Sequence, residues 1–112
     1  MENKIDVFKA LGDSNRLRIL SMLSERSLCV CEINSVLNIS MSTISSHLKI
    51  LRNAGLVTSE KDGRWIFYSV CEKDQIITDI IKQSVAFVSN ESETKSDLQK
   101  LKSVSPDKCS NA

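Results

Sequence analysis

The chain has 112 residues, of which 41% are hydrophobic and 26% are charged, and its formal net charge is +1. This length suits one domain with a modest core and leaves little room for a second lobe around a large active-site cleft. No apolar run approaches the roughly 20 residues that span a bilayer, and the N-terminus lacks the apolar core of a signal peptide. We therefore expect a cytoplasmic protein that contacts no membrane and whose nucleic-acid binding, if any, depends on a local basic patch.

Apolar residues at helical spacing predict four helices in the first half of the chain. The first ends at Gly12 and the fourth at Gly55, because glycine is favoured just after a helix C-terminus. Asp13 or Ser14 caps the second helix, and the third ends near Asn38. The apolar faces expected to form the core are Ile5, Phe8 and Leu11; Leu17, Leu20 and Leu23; Val30, Ile33 and Leu37; and Ile44, Leu48 and Leu51.

Two β-type runs follow, at residues 56–61 and 64–70. Asp62-Gly63 lies between them and suits a two-residue type I′ hairpin turn. The sequence therefore predicts a fold that is mostly α with a small β-hairpin.

The last part of the chain predicts a fifth helix and a tail. The helix, from about residue 72 to 88, has an apolar stripe that Ile76 and Phe87 widen beyond the need of a surface helix. This width indicates a homodimer formed through the terminal helices. Residues 90–112 have few apolar anchors, so we expect a mobile tail, with at most a frayed helical turn near Leu98 and Leu101, after a single domain at residues 1–89.

The fourth helix has a polar face without acidic residues, opposite its apolar stripe. Two short helices, a tight break, this helix and the hairpin together make a winged helix-turn-helix. In that fold the polar face enters the major groove of DNA, and the hairpin contacts the backbone or the minor groove. The candidate DNA contacts are Ser42, Thr43, Ser45, Ser46, His47, Lys49, Arg52, Lys61 and Arg64. For His47, a phosphate contact and a packed, satisfied imidazole both remain open.

The motifs FKALGDSNRLRIL at residues 8–20, STISSHLKILRNAGLV at 42–57 and DGRWIFY at 62–68 resemble the ArsR/SmtB family of bacterial metal-sensing repressors. The resemblance implies a homodimer that binds a two-fold symmetric operator in double-stranded DNA. The motif LCVCEI at residues 28–33 is similar to that of members that sense As(III) and Sb(III), or soft divalent ions such as Cd(II) and Pb(II). Arsenic sensors often have a third cysteine where this chain has Asn34. The resemblance implies a metal(loid) inducer and no organic cofactor.

Cys29 and Cys31 are the candidate metal ligands. Residues two apart on a helix point about 200° away from each other, so both thiols reach one ion only if the backbone there is distorted. Thiolates select soft ions, and a position near a helix N-terminus is expected to lower a thiol pKa. We favour Cys109 as the third ligand because a flexible arm can search for the site. Cys71, a thiol of the partner subunit and an exogenous thiol remain open.

Several alternatives remain at this stage. In the first alternative, Cys29 and Cys31 bind no metal and are simply small buried residues of the core. A Cd(II) or Pb(II) sensor is disfavoured because residues 1–5 contain no cysteine. A thiol-redox or persulfide-responsive repressor would pair Cys29 or Cys31 with Cys71 or Cys109. A dithiol oxidoreductase using Cys-Val-Cys fits poorly with the helix-turn-helix pattern. With one histidine and no paired carboxylates, we predict that the protein is not an enzyme.

Overall fold

The computed structural model describes residues 1–110, without the side chain of Ser110. In chain order, these residues form α1 (Glu2–Leu11), α2 (Ser14–Glu25), α3 (Val30–Leu37), α4 (Met41–Asn53), β1 (Val57–Asp62), β2 (Trp65–Val70), α5 (Gln75–Val88), α6 (Ser92–Leu101) and α7 (Pro106–Ser110). The predicted fold class, mostly α with a small antiparallel hairpin, is confirmed.

The helices α2, α3 and α4 begin and end where side chains or backbone geometry satisfy their terminal groups. Asp13 accepts a hydrogen bond from the Arg16 amide at 3.1 Å, and Ser40 accepts one from the Thr43 amide at 3.2 Å. Asn38 ends α3 in the left-handed conformation, with φ of 57°. These caps keep the turn between α3 and α4 short, and the two helices pack against each other. Their fully buried side chains include Ile33, Ile44, Leu48 and Leu51.

The buried face of α1 differs from the prediction. Val7 and Ala10 face the core, whereas Ile5 is 42% exposed and Phe8 is 64% exposed. The reason is tertiary: α1 packs mainly on α2 and α4, which cover one narrow face of the helix. Ile5 and Phe8 remain on the outer surface of the protomer.

The hairpin turn lies one residue later than predicted. Asp62 pairs with Trp65 in the ladder, so the two loop residues are Gly63 and Arg64 instead of Asp62 and Gly63. Gly63 has φ of 62°, and Arg64 does not share a positive φ. A positive φ at the first loop position alone is the type II′ pattern, in which glycine avoids the strain that a Cβ would bring. The predicted type I′ turn was wrong.

The hairpin is joined to the segment that precedes α3. The backbone amides and carbonyls of Leu28 and Tyr68 exchange two hydrogen bonds, at 3.0 and 2.8 Å. This bridge fixes the residue before Cys29 against β2. The start of α3 is therefore held both by the wing and by the core.

The C-terminal residues differ most from expectation, because α6 occupies part of the predicted mobile tail. Thr94, Asp97 and Leu101 of α6 are buried against the body of the protein. Asp97 accepts two hydrogen bonds from Arg18 of α2, at 2.7 and 2.8 Å. A charged pair separated by 79 residues leaves no signal in the local sequence, which explains why a full helix forms where at most a frayed turn near Leu98 and Leu101 was expected. The proposed boundary at residue 89 therefore divides elements that pack together.

Candidate DNA-binding and cysteine site

The predicted DNA-binding face of α4 is exposed. The buried residues of this helix are Ile44, Leu48 and Leu51, as predicted. The polar residues between them, which the sequence places on the opposite face, include no carboxylate that would repel phosphate. The exposed candidates on α4 and the hairpin are Ser42, Thr43, Ser45, Ser46, Lys49, Arg52, Lys61 and Arg64.

Two of the basic candidates have partners within the protein. Arg52 donates a hydrogen bond to the Ser59 hydroxyl at 3.1 Å and so connects α4 to β1. The Arg64 guanidinium lies 4.6 Å from the centre of the Trp65 ring, within the range of a cation–π contact. Both cationic groups remain exposed, so these contacts orient them without removing them from solvent.

His47 is half-buried on the shoulder of α4. Its Nδ1 atom lies 3.2 Å from Nη1 of Arg16, a residue of α2. The sequence pattern contained no signal for this contact, because the two residues are 31 positions apart. The imidazole is therefore packed against a cation and is also part of the recognition helix.

The structure brings two of the candidate metal ligands together. Cys31, in the first turn of α3, forms a disulfide with Cys109 of α7, and their Cα atoms are 5.8 Å apart. Cys71, the open alternative, is a half-buried free thiol just after β2. Of Cys71 and Cys109, it is therefore Cys109 that the fold places beside Cys31.

Cys29 differs from the expectation based on helix position. It precedes α3 and is only 3% exposed. Burial raises the pKa of the Cys29 thiol, and the nearby Glu32 carboxylate adds to the rise, although hydrogen bonding to the backbone amides of Glu32 and Cys31 opposes it. The predicted lowering of this pKa by the helix N-terminus was wrong, because loss of water outweighs the helix dipole. Cys29 is therefore a protonated, packed thiol at neutral pH.

An ion pair beside Cys29 was not anticipated. Glu32 is fully buried, and its carboxylate accepts hydrogen bonds from Nη1 of Arg26 at 2.7 Å and from the Cys29 amide at 3.1 Å. A glutamate three residues after the N-cap is the sequence signal of a capping box, in which its carboxylate accepts from the N-cap amide. The sequence therefore contained a signal for the Glu32–Cys29 contact. Arg26 also donates to the carbonyl of Val104 at 2.9 Å. This side chain connects the start of α3 to the segment that leads to Cys109.

The described residues contain no ready-made cluster of three or more His, Cys, Asp or Glu side chains that could hold a metal ion. The donors that fit a thiophilic ion are the Cys31 and Cys109 sulfurs, once reduced. Cys29 lies close in sequence but is protonated and buried, so its use as a third ligand would require the first turn of α3 to open.

The fold and the polar recognition helix define the class of protein as a DNA-binding winged helix-turn-helix regulator. Residues 13–59 match the sequence model described as bacterial regulatory protein, arsR family. An uncharacterized HTH-type transcriptional regulator from Methanocaldococcus jannaschii is 45% identical over 82 residues, which cover 72% of this chain and 90% of that protein. The chain belongs to the ArsR family of transcriptional regulators, a family of DNA-binding proteins and not of enzymes.

Other relatives differ in the ion that their names mention. The arsenical resistance operon repressor of Escherichia coli K12 is 45% identical over 57% of this chain and 56% of that protein. The cadmium resistance regulatory protein CadC of Listeria innocua is 42% identical over 56% of this chain and 54% of that protein. This chain thus spans little more than half the length of either relative.

A solved structure supports the same fold. The homodimeric winged helix-turn-helix domain from Mycobacterium bovis, a possible ArsR-family regulator, has a TM-score of 0.68 and 26% identity, covering 80% of this chain and 83% of that domain. No helix within residues 1–110 is both long and apolar enough to cross a membrane.

Proposed function

We propose that this protein is a homodimeric repressor of operator DNA that As(III) or Sb(III) releases by binding to its cysteine thiols. The observation that carries the proposal is that Cys109 of α7 meets Cys31 at the start of α3, the helix that packs against the recognition helix α4. Arsenical resistance repressors among the relatives favour a trivalent metalloid, while the cadmium regulator keeps Cd(II) as the competing inducer.

The exposed apolar residues of the terminal helices support a dimer. Phe8 of α1 is 64% exposed, and Ile76 and Phe87 of α5 are 72% and 91% exposed. Covering large apolar side chains of this kind with a partner is favourable, because it removes apolar surface from water. A second copy that covers α1 and α5 would relate the two recognition helices by a two-fold axis, as a symmetric operator requires.

Recruitment of Cys29 couples ion binding to α3. Trivalent arsenic prefers three sulfur ligands, and the reduced Cys31 and Cys109 thiols supply two. A third bond to Cys29 removes this thiol from its buried position and breaks the hydrogen bond between its amide and Glu32. The start of α3 then unwinds, and its packing on α4 changes. By reciprocity, DNA binding weakens metalloid binding by the same factor.

The first test is fluorescence anisotropy of the reduced protein on DNA from upstream of its own gene, at fixed salt. We expect arsenite and antimonite to lower DNA affinity by about 5- to 150-fold, the usual range of allosteric coupling. Cys31→Ser and Cys109→Ser should abolish the response while leaving DNA binding intact. A phosphine reductant is preferable, because added thiols compete for arsenite.

Cys71→Ser is the matched control, since it removes a thiol that lies outside the Cys31–Cys109 pair. It should respond like the wild type. Release of the protein from DNA by Cd(II) and not by arsenite would show that the inducer is a divalent ion and not a trivalent metalloid. DNA binding that none of these ions changes would contradict metal sensing altogether.

A second candidate function is redox regulation, and the Cys31–Cys109 disulfide favours it. Two thiols lose two electrons and two protons when the bond forms, and a peroxide that accepts them becomes two water molecules or water and an alcohol. We expect peroxide without metal to yield this single disulfide by non-reducing mass spectrometry, and DNA release to follow its yield. A mixture of pairings, or disulfide formation without DNA release, would exclude this function.

A further inference from the structure

Arg16 lies where α1, α2 and α4 meet, and its guanidinium is held at three points. Nε donates to the carbonyl of Ala10 at 2.7 Å, and Nη2 donates to the carbonyl of Lys9 at 3.2 Å. The backbone amide of Arg16 donates to Asp13, which fixes the start of the same helix. The third side-chain nitrogen, Nη1, is therefore directed at His47 from a rigid position.

This contact determines which nitrogen of His47 carries the proton. An arginine side chain has donors and no acceptor, so the Nδ1 atom that faces Nη1 at 3.2 Å must supply a lone pair. A neutral imidazole that accepts at Nδ1 has its hydrogen on Nε2. Protonation of Nδ1 would put two donors and two positive charges face to face. Arg16 thus selects the Nε2–H tautomer of the imidazole.

The Nε2 atom remains available to a ligand. Among residues 1–110, the Arg16 contact is the hydrogen bond that His47 makes through its ring, and no buried side-chain nitrogen or oxygen lacks a partner. Since Nε2 has no partner within the described part of the chain, it is reached by solvent. The recognition helix therefore presents one N–H donor of fixed identity on its shoulder.

We propose that Arg16 is a positioning residue for DNA recognition, which presents the Nε2–H group of His47 to an acceptor atom of the DNA, either a phosphate oxygen or a base edge. The guanidinium does not touch DNA in this proposal; it acts through the imidazole. The inference depends on DNA binding by α4 and is independent of the cysteine chemistry.

The first experiment measures the DNA affinity of two His47 variants, each of which keeps a nitrogen at the position of only one of the two imidazole nitrogens. The amide nitrogen of Gln in His47→Gln can replace Nε2, whereas that of Asn in His47→Asn can replace Nδ1 only. We expect His47→Gln to retain affinity close to the wild type, and His47→Asn to bind about fivefold more weakly for each His47 that touches DNA. Equal affinity of the two variants would overturn the proposal.

An unrelated duplex at the same salt concentration distinguishes the two acceptors. A loss of equal size on operator and unrelated DNA indicates a phosphate oxygen, because every duplex presents one. A loss confined to the operator indicates a base edge.

A double-mutant cycle tests the role of Arg16. Arg16→Met should weaken DNA binding in the wild type and have no further effect in the His47→Ala background, because Arg16 acts through His47. Thermal unfolding of each variant checks that the protein remains folded. Equal losses in both backgrounds would show that Arg16 contacts DNA itself or only supports the fold, and would overturn the assignment.

The ring nitrogens can also be observed directly. Because His47 is the only histidine of the chain, a ¹⁵N-histidine spectrum of the free protein reports one imidazole. In the neutral imidazole we expect the hydrogen on Nε2 and the lone pair on Nδ1. A proton on Nδ1 would contradict the proposal without any DNA measurement.

Discussion

Arg26→Met should lower the free energy of unfolding by about 3 to 5 kcal/mol, the usual cost of leaving a buried charge without its partner. Glu32 is fully buried, and Arg26 is its cationic partner at 2.7 Å. Methionine keeps the length of the side chain but removes every hydrogen-bond donor. Urea denaturation of the reduced protein gives the value, because the Cys31–Cys109 disulfide would otherwise alter the unfolded state.

The matched control is Lys73→Met, which removes an exposed cation between β2 and α5 and should change stability by less than about 0.5 kcal/mol. Adding Glu32→Gln to Arg26→Met should restore part of the loss, because the amide is neutral and still accepts from the Cys29 amide. A loss below about 1 kcal/mol for Arg26→Met would mean that the pair behaves like a surface salt bridge.

Arg18→Met should release α6 from the body of the protein, at a cost of similar size. Asp97 is 1% exposed and accepts two hydrogen bonds from Arg18, which is the strong, bidentate form of this interaction. The same carboxylate raises the pKa of Arg18 by hydrogen bonding to the charged form. Hydrogen exchange by mass spectrometry should show faster exchange at residues 92–101, while the amides of α4 remain protected.

Lys95→Met, an exposed position on the same helix, is the control and should leave exchange unchanged. Asp97→Asn should have a smaller effect than Arg18→Met, because it buries no unpaired charge. If α6 exchanges freely in the wild type, the predicted mobile tail is correct and the ion pair does not hold this helix.

The two ion pairs bear on the proposed function. Arg26 contacts both Glu32 at the start of α3 and the carbonyl of Val104, five residues before Cys109. Arg18 holds α6, from which this segment continues. Loss of either arginine should therefore also reduce the fraction of protein in which Cys31 and Cys109 meet, which disulfide yield under mild peroxide would measure.

Much of the DNA-binding half could be predicted because local patterns determine it. The third and fourth helices bury apolar residues at helical spacing, and their polar caps and turns lie next to them in the sequence. The same reasoning found the polar face of α4 and the hairpin strands. It placed the turn one residue early because Asp-Gly is a favoured loop pair, and only the register of the ladder decides which residues form the loop.

The sequence by itself determined the first five helices, the polar face of α4 and the positions of the cysteines. The tertiary structure decided which of these residues meet: Arg16 with His47, Arg18 with Asp97, and Cys31 with Cys109, the last across 78 residues. It also decided that Ile5 and Phe8 face outward. Burial of Cys29 in the folded protein raises the pKa of its thiol, so little thiolate forms there. The physical reason is that propensity, spacing and capping act within a few residues, whereas burial and ion pairing depend on how distant segments pack.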